Sequence, residues 1–334
     1  MALTTARDIT VCSKEFQERH PQLYHYTSRG GLEGIVGSRT IRATDYRSLN
    51  DSSEIIHLKE PFMACLVPRF RSIIEQRNPN RHWRRSFEAT GGCEKLARDF
   101  VDSVYQATFA SAGGFTFVEA FIACFCTHVD DRPYVREHGL LSQWRGYSGG
   151  DGFCIVFDTP SLCQLLAKEF DTHYWVYLQA DPVRYAVDEI PLDDLFPELL
   201  EAGAKTLEDF LSGIRVPEMG IVEFLTGAGL FKHQGFFEER EVRIVAIPGT
   251  QALHEQGKRE HADFPDLPLA NILTHPDSGR RYIPLFDGSR AHLPIVRVIV
   301  GPSQNQTANA EFARSVVGAT IPISCSDTPW LPPH

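Results

Sequence analysis

The chain has 334 residues, room for one large domain or two ordinary ones, and its 43% hydrophobic and 23% charged content is that of a globular protein. A formal net charge of -10 excludes the overall basic footprint of a non-specific nucleic-acid binder, though not a local basic groove. No apolar run is long enough to span a bilayer, and MALTTARDIT lacks the basic-then-apolar order of a signal peptide, so the expectation is a soluble, cytoplasmic protein with no membrane partner.

In chain order, residues 11–20 read as a short helix and Leu23–Thr27 as a strand rich in β-formers. Ser28 is placed to cap a helix that presents Leu32, Ile35 and Val36 on one face. Thr40–Thr44 is a second strand, followed by a polar loop, Asp45–Glu54. Residues 54–78 and 83–111 read as helices, with Pro61 and Pro68 expected to interrupt the first. Strands are expected at Ala120–Thr127 and Phe153–Phe157, with a short helix or turn over Gly139–Tyr147 and a sharp turn at Gly149–Gly152 between them. Thr159 and Pro160 open a helix, as N-cap and first helical residue. Strands follow at Tyr174–Gln179 and Val183–Tyr185, then helices over 192–213 and 217–230. Glu239–Ile247 is a strand, 250–281 a polar inserted loop or flap, Pro294–Gly301 a core strand, 307–318 a helix, and 321–324 extended. Strands early and late with helices between them predict a single α+β domain over 1–334, with a helical insertion at about 54–114.

The stretch FKHQGFFEEREVRIVAIP is the most informative. Read as a strand, it sets Glu239, Glu241 and Arg243 on one face and Val242, Ile244 and Ala246 on the other. Those charges, with Lys232 and His233 upstream, fit either a site or a set of mutual ion pairs. His25 and Thr27 share a strand face and offer an imidazole and a hydroxyl to a ribose or phosphate; a buried histidine satisfied by backbone fits equally. Asn50 and Asp51, with Glu54 beyond, form a helix start that reads as a capping box. In SQWRGY, Trp144 and Arg145 suit ring stacking or a core tryptophan. Among the eight cysteines none forms a C-x-x-C pair; Cys124, Cys126 and His128 line one strand face and read as reduced structural thiols rather than a metal site. The Walker, G-x-S-x-G, G-x-G-x-x-G and H-E-x-x-H patterns are all lacking.

Taken together, LYHYTSRGGLEGIVGSRTIRAT, SLNDSSE, LLSQWRGYSGGDGFCIVFD, KHQGFFEEREVRIV and PIVRVIVGPS resemble the successive blocks of the bacterial domain-of-unknown-function family 2971. Departures are Ser52 where the family tends to have Pro, Phe236 and Val242 where it favours Trp, and a less typical segment 250–281. The first block also resembles the opening of ADP-ribosyltransferases, as in the DNA-thymidine ADP-ribosyltransferase toxins and the RNA 2'-phosphotransferases.

That second resemblance implies a mixed, mainly antiparallel central sheet and an enzyme that consumes NAD, in a bacterial defence or toxin setting, with nucleic acid or protein as acceptor. His25, Tyr26, Thr27, Asn50, Trp144, Tyr147 and Arg243 would then bind the dinucleotide. Glu241 is the implied catalytic carboxylate and Glu239 its helper, stabilising the cation formed as the nicotinamide–ribose bond breaks, with no metal required. The alternatives are a metal-dependent nuclease or phosphodiesterase, and a nucleotide-sensing module without turnover.

Overall fold

The computed structural model describes residues 10–49, 53–109, 119–147, 151–186, 192–213, 221–288 and 292–329. The chain opens with α1 (Lys14–Arg19), β1 (Gln22–Thr27), α2 (Arg29–Ser38) and β2 (Ile41–Asp45). Ser13 and Ser28 cap the two helices, their hydroxyls accepting the N–H of Phe16 and Gly31. The insertion consists of α3 (Ser53–Gln76), α4 (Arg81–Ala89) and α5 (Gly92–Phe109). Then come β3 (Phe121–Cys126), α6 (Pro133–His138), α7 (Leu141–Tyr147), β4 (Phe153–Asp158), α8 (Thr159–Thr172), β5 (Trp175–Pro182) and β6 (Arg184–Ala186). The C-terminal half holds α9 (Leu192–Leu195), α10 (Pro197–Leu211), α11 (Ile221–Leu230), β7 (Phe231–His233), β8 (Glu241–Pro248) and α12 (Gln251–Glu260). It ends with β9 (Leu273–Thr274), β10 (Arg281–Leu285), β11 (Ile295–Val300), α13 (Gln306–Val317) and β12 (Ile323–Cys325).

Ten strands form one sheet in the order β12-β11-β4-β1-β3-β2-β10-β9, with β8 paired to β3 and β5 paired to β8. Only β11 and β12 pair in parallel within it, so the sheet is mixed and mainly antiparallel, and the chain is α+β. The hub is β3. One of its edges takes β8 along its whole length, from Phe121↔Ala246 to Cys126↔Glu241. Its other edge is shared: β1 meets it at Tyr24↔Cys126, and β2 at Thr44↔Ile122 and Asp45↔Phe121.

The sheet is covered on both faces, so β8 is buried at all eight positions instead of alternating wet and dry. One face packs Leu23, Phe125, Ile155, Val242 and Ile244 under α2, α8 and α13 through Leu32, Leu162, Leu166 and Ala313. The other packs Ile122, Val245 and Ile247 under the insertion, α10 and α11 through Phe62, Val101, Leu200 and Phe224. The insertion is therefore one wall of the core. A smaller cluster, Tyr24, Tyr26, Cys126, Trp144, Cys154, Val156 and Ile299, adjoins it near α7.

Several expectations are corrected. Pro61 and Pro68 do not interrupt α3. Leu58, Phe62, Leu66 and Phe70, spaced by four and at most 1% exposed, anchor the helix; their burial, at roughly 2 kcal/mol each, outweighs a proline cost of about 3 kcal/mol apiece. The helix predicted over 83–111 is two helices, broken where Gly91 (φ +106°) and Gly92 (φ +56°) adopt left-handed backbone. Asp158, not Thr159, caps α8, its carboxylate accepting the Ser161 N–H. Residues 250–281 are not a bare loop: α12 buries Leu253, His254 and Gly257, and β9 extends the sheet edge beside β10. Finally, Cys12 and Cys163, 151 residues apart in sequence, are joined by a disulfide that ties the N-terminal segment to α8. Among the described residues, no helix is long and apolar enough to cross a membrane.

Candidate functional site

At the end of β3 and β8 nearest β6 and β7, one sheet face changes from apolar to charged. On β8 the run Ile247, Val245, Arg243, Glu241 faces one way; on β3 Cys124 lies opposite Arg243, and Cys126 opposite Glu241. The Glu241 carboxylate is gripped twice by Arg243, Nε to Oε1 at 2.8 Å and Nη2 to Oε2 at 2.9 Å. This bidentate fork is the strongest form of guanidinium–carboxylate pair. Arg243 Nη1 donates to the Gly229 carbonyl at 2.9 Å, so the last turn of α11 holds the guanidinium. Lys232 reaches in from β7, which pairs with β6 at Tyr185↔Lys232. Its Nζ donates to Glu241 Oε2 at 3.0 Å and Glu239 Oε2 at 2.9 Å. The Glu241 N–H donates to the Tyr185 hydroxyl at 2.8 Å.

Burial by itself would raise the Glu241 carboxyl, but Arg243 and Lys232 outweigh it and hold the group down at about 2. Glu241 is therefore ionised and immobile, 6% exposed, beside Arg243 at 3% and Lys232 at 4%. Burial, reinforced by the Glu241 charge, pushes the Cys124 and Cys126 thiols well up, so both are protonated and unreactive. Cys124 hydrogen-bonds Glu241, and Cys126 Sγ donates to Gln143 Oε1 at 3.3 Å.

The cluster has an accessible rim. Glu239 does not lie on the strand as predicted: it ends a 3₁₀ turn, Gln234–Glu239, and Arg240 after it takes a left-handed φ of +43°. That turn swings Glu239 over Lys232, where it is half-buried. Phe236 and Phe237 on the same turn are exposed at 37% and 53%, and Tyr147 at the end of α7 at 43%. Lys232 Nζ stands 4.7 Å from the Phe236 ring centroid, and Phe237 packs edge-on against Tyr185 at 5.3 Å. The Tyr147 hydroxyl lies within electrostatic reach of Glu239, Lys232 and Glu241. A buried, neutralised ion cluster thus floors a rim of one carboxylate and three aromatic rings.

Glu241, Glu239, Arg243 and Tyr147 come together here; the other predicted residues do not. His25 and Thr27 lie on the opposite face of the sheet. The His25 ring packs 5.6 Å from Phe125, and its Nδ1 donates to the Cys124 carbonyl at 2.9 Å. Thr27 packs its Oγ1 against α2, where a Cβ on Gly31 would fall 1.9 Å away. The reason is strand alternation: in β1 it is Tyr24 and Tyr26 that share the Cys126 face. Tyr26 is committed internally, its hydroxyl accepting the Leu140 N–H at 2.8 Å and donating to His128 Nε2 at 3.0 Å; His128 Nδ1 donates to Asp131 at 2.8 Å.

Trp144 is core, 1% exposed, with Nε1 donating to the His138 carbonyl at 2.9 Å. It fits because residue 139 is glycine (φ +79°), whose Cβ would lie 2.7 Å from the indole. Asn50, Asp51 and the glycines at 149 and 150 lie outside the described residues. Segment 250–281 leaves from Pro248, at the far end of β8 and roughly 23 Å along the strand from Glu241, too far for its start to frame this rim. The site also draws in Lys232, Tyr185 and Phe237; of these the sequence marks only Lys232, as a charge near the glutamates.

Among the described residues no group of three His, Cys, Asp or Glu side chains is arranged to hold a metal ion. A separate cavity of about 130 Å³ is lined by Glu169, His173, Asn271, Ile283 and Asp287, and touches none of the predicted site residues. No curated protein and no solved structure matches the chain. Residues 143–244 match the model of the family described as "Protein of unknown function (DUF2971)", a stretch that opens at Gln143 beside Cys126, closes one residue past Arg243, and so spans the charged cluster and its rim.

Proposed function

We propose that the chain is an ADP-ribosyltransferase-like enzyme that consumes NAD at the Glu241 rim. The observation that carries this reading is the ionised, doubly anchored Glu241 carboxylate beneath the half-buried Glu239 and three exposed rings. A fixed negative charge needs no reorganisation as the ribosyl cation develops, which is how preorganised groups lower a barrier. The rings of Tyr147, Phe236 and Phe237 give nicotinamide or adenine a surface to stack on. Glu239, nearer solvent, positions the acceptor or a water. His25, Thr27 and Trp144 drop out of the pocket, and Arg243 serves by holding Glu241 instead of gripping pyrophosphate. A cytoplasmic setting and a role in bacterial defence or as a toxin belong to the same proposal.

The test is nicotinamide release from NAD, with and without nucleic-acid and protein acceptors. Turnover by the wild type, lost by roughly a hundredfold or more in a folded Glu241→Gln protein with NAD affinity retained, supports the reading. Normal turnover by that variant sinks it. One observation favours a second reading: Glu241 is already neutralised by Arg243 and Lys232. Saturable NAD binding without nicotinamide release would make the protein a nucleotide-sensing module.

A further inference from the structure

We propose that α4 is a docking surface for single-stranded nucleic acid. The chain as a whole is acidic, yet between Arg69 and Arg85 it carries six arginines, Arg69, Arg71, Arg77, Arg81, Arg84 and Arg85, with His82, against the single carboxylate Glu75. Some are used internally: Arg69 pairs with Asp193, and Arg77 donates to the Leu211 and Glu208 carbonyls and the Ser212 hydroxyl. Arg81, Arg84 and Arg85 are exposed and form no ion pair among the described residues. They sit on a helix none of whose nine residues is fully buried, and which meets the core only through the partly buried Phe87.

The same helix carries two large rings. Trp83 is 39% exposed and lies parallel to Phe87, 4.8 Å between centroids and 14° between planes. The Asn80 side chain caps the helix by accepting the Trp83 N–H at 2.9 Å, which fixes the residue's backbone. Phe87, which packs on the core, covers part of Trp83, and 39% of the tryptophan stays in water. Stacked rings flanked by unpaired guanidinium groups are what a single strand requires: π-faces for its bases and cations for its phosphates. A duplex hides its bases from such rings. An anionic membrane would meet the charges too, but an interfacial helix buries a broad apolar face, and α4 offers only two rings among Arg, His, Ser and Glu. Charge complementarity therefore selects a flexible polyanion that carries rings.

The experiment uses the full chain with fluorescein-labelled twenty-nucleotide oligo(dT) and oligo(U), read by anisotropy at low and moderate salt, beside inorganic polyphosphate and phosphatidylglycerol vesicles. The variants are the triple Arg81→Ala, Arg84→Ala, Arg85→Ala and the single Trp83→Ala, each checked by thermal melt. The wild type should bind both oligonucleotides with a steep salt dependence, and the triple variant should flatten the log–log salt slope by about 2. Trp83→Ala should weaken oligonucleotide binding by roughly 5- to 100-fold while leaving polyphosphate binding unchanged. No oligonucleotide binding by the wild type, or equal binding by the folded triple variant, overturns the proposal. Vesicle binding that depends on α4, with oligonucleotide binding that does not, overturns it in favour of a membrane surface. The proposal is independent of the transferase reading: α4-dependent oligonucleotide binding without nicotinamide release would remove that reading and keep this one.

Discussion

The charged end of β8 and the charged helix α4 treat the same kinds of residue in opposite ways. Around Glu241 the charges are matched, and all but the half-buried Glu239 are buried: Arg243 and Lys232 face Glu241, Lys232 also faces Glu239, and Arg243 donates to the Gly229 carbonyl. On α4, Arg81, Arg84 and Arg85 are in water beside an exposed Trp83. Removing a charge from water costs several kcal/mol unless partners replace the solvent, so the buried cluster must be complete to exist. Nothing forces completion at the surface, and charges left there remain available to something outside the chain. The two tryptophans repeat the contrast, Trp144 as packing at 1% exposed and Trp83 as presented surface at 39%.

The contrast is sharpened by breaking each region in turn. Arg243→Met leaves Glu241 buried with Lys232 alone and should cost about 3–5 kcal/mol in urea unfolding. Trp144→Ala, which empties a core site over Gly139 and Gly301, should cost a similar 3–5 kcal/mol, whereas Trp83→Ala, which loses a half-exposed ring stacked on Phe87, should cost only about 1 kcal/mol. A small loss for either Arg243→Met or Trp144→Ala would contradict the packing described.

The next effect is pH dependence. Glu241 titrates at about 2 in the folded protein against 4.5 for the free group. Because the folded value is depressed, the stability it contributes is fully present above 4.5 and lost as pH falls from 4.5 toward 2. The loss is on the order of 3 kcal/mol. Unfolding free energies of wild type and Glu241→Gln, measured from pH 6 down to pH 2.5, should converge. Curves that stay parallel would show that Glu241 does not carry the acid response.

Smaller again is Glu239→Gln. It keeps the Lys232 hydrogen bond, now to an uncharged amide oxygen, at a half-buried site and should cost about 1 kcal/mol or less. On the transferase reading it should lower transfer to an acceptor more than nicotinamide release. The smallest effect belongs to α4: Arg81→Ala, Arg84→Ala and Arg85→Ala should each leave stability within about 0.5 kcal/mol, since none touches the core. A marked destabilisation there would mean that the helix is structural and would erase the comparison.

Local physics made much of this molecule legible before its tertiary structure. Runs of apolar and β-forming residues bounded by turns placed β1, β3, β4, β8 and β11 within a residue or two, and Ser28 announced the start of α2. The Glu241 and Arg243 spacing announced a shared strand face, and β3 and β8 do pair there. Sequence spacing cannot say which face of one strand meets which face of another, because that depends on pairing and register. Spacing alone therefore allows His25 and Glu241 one pocket, whereas β1 turns its Tyr26 face, not its His25 face, toward Cys126 and Glu241. The continuity of α3 through Pro61 and Pro68 was hidden for a related reason: the packing that offsets each proline comes from Phe224 and its neighbours, far along the chain. Composition and periodicity determined the elements and the charged end of β8. Only the tertiary structure decided which charges found partners, because burial is set by contacts between residues distant in sequence, and burial is what obliges a charge to be paired.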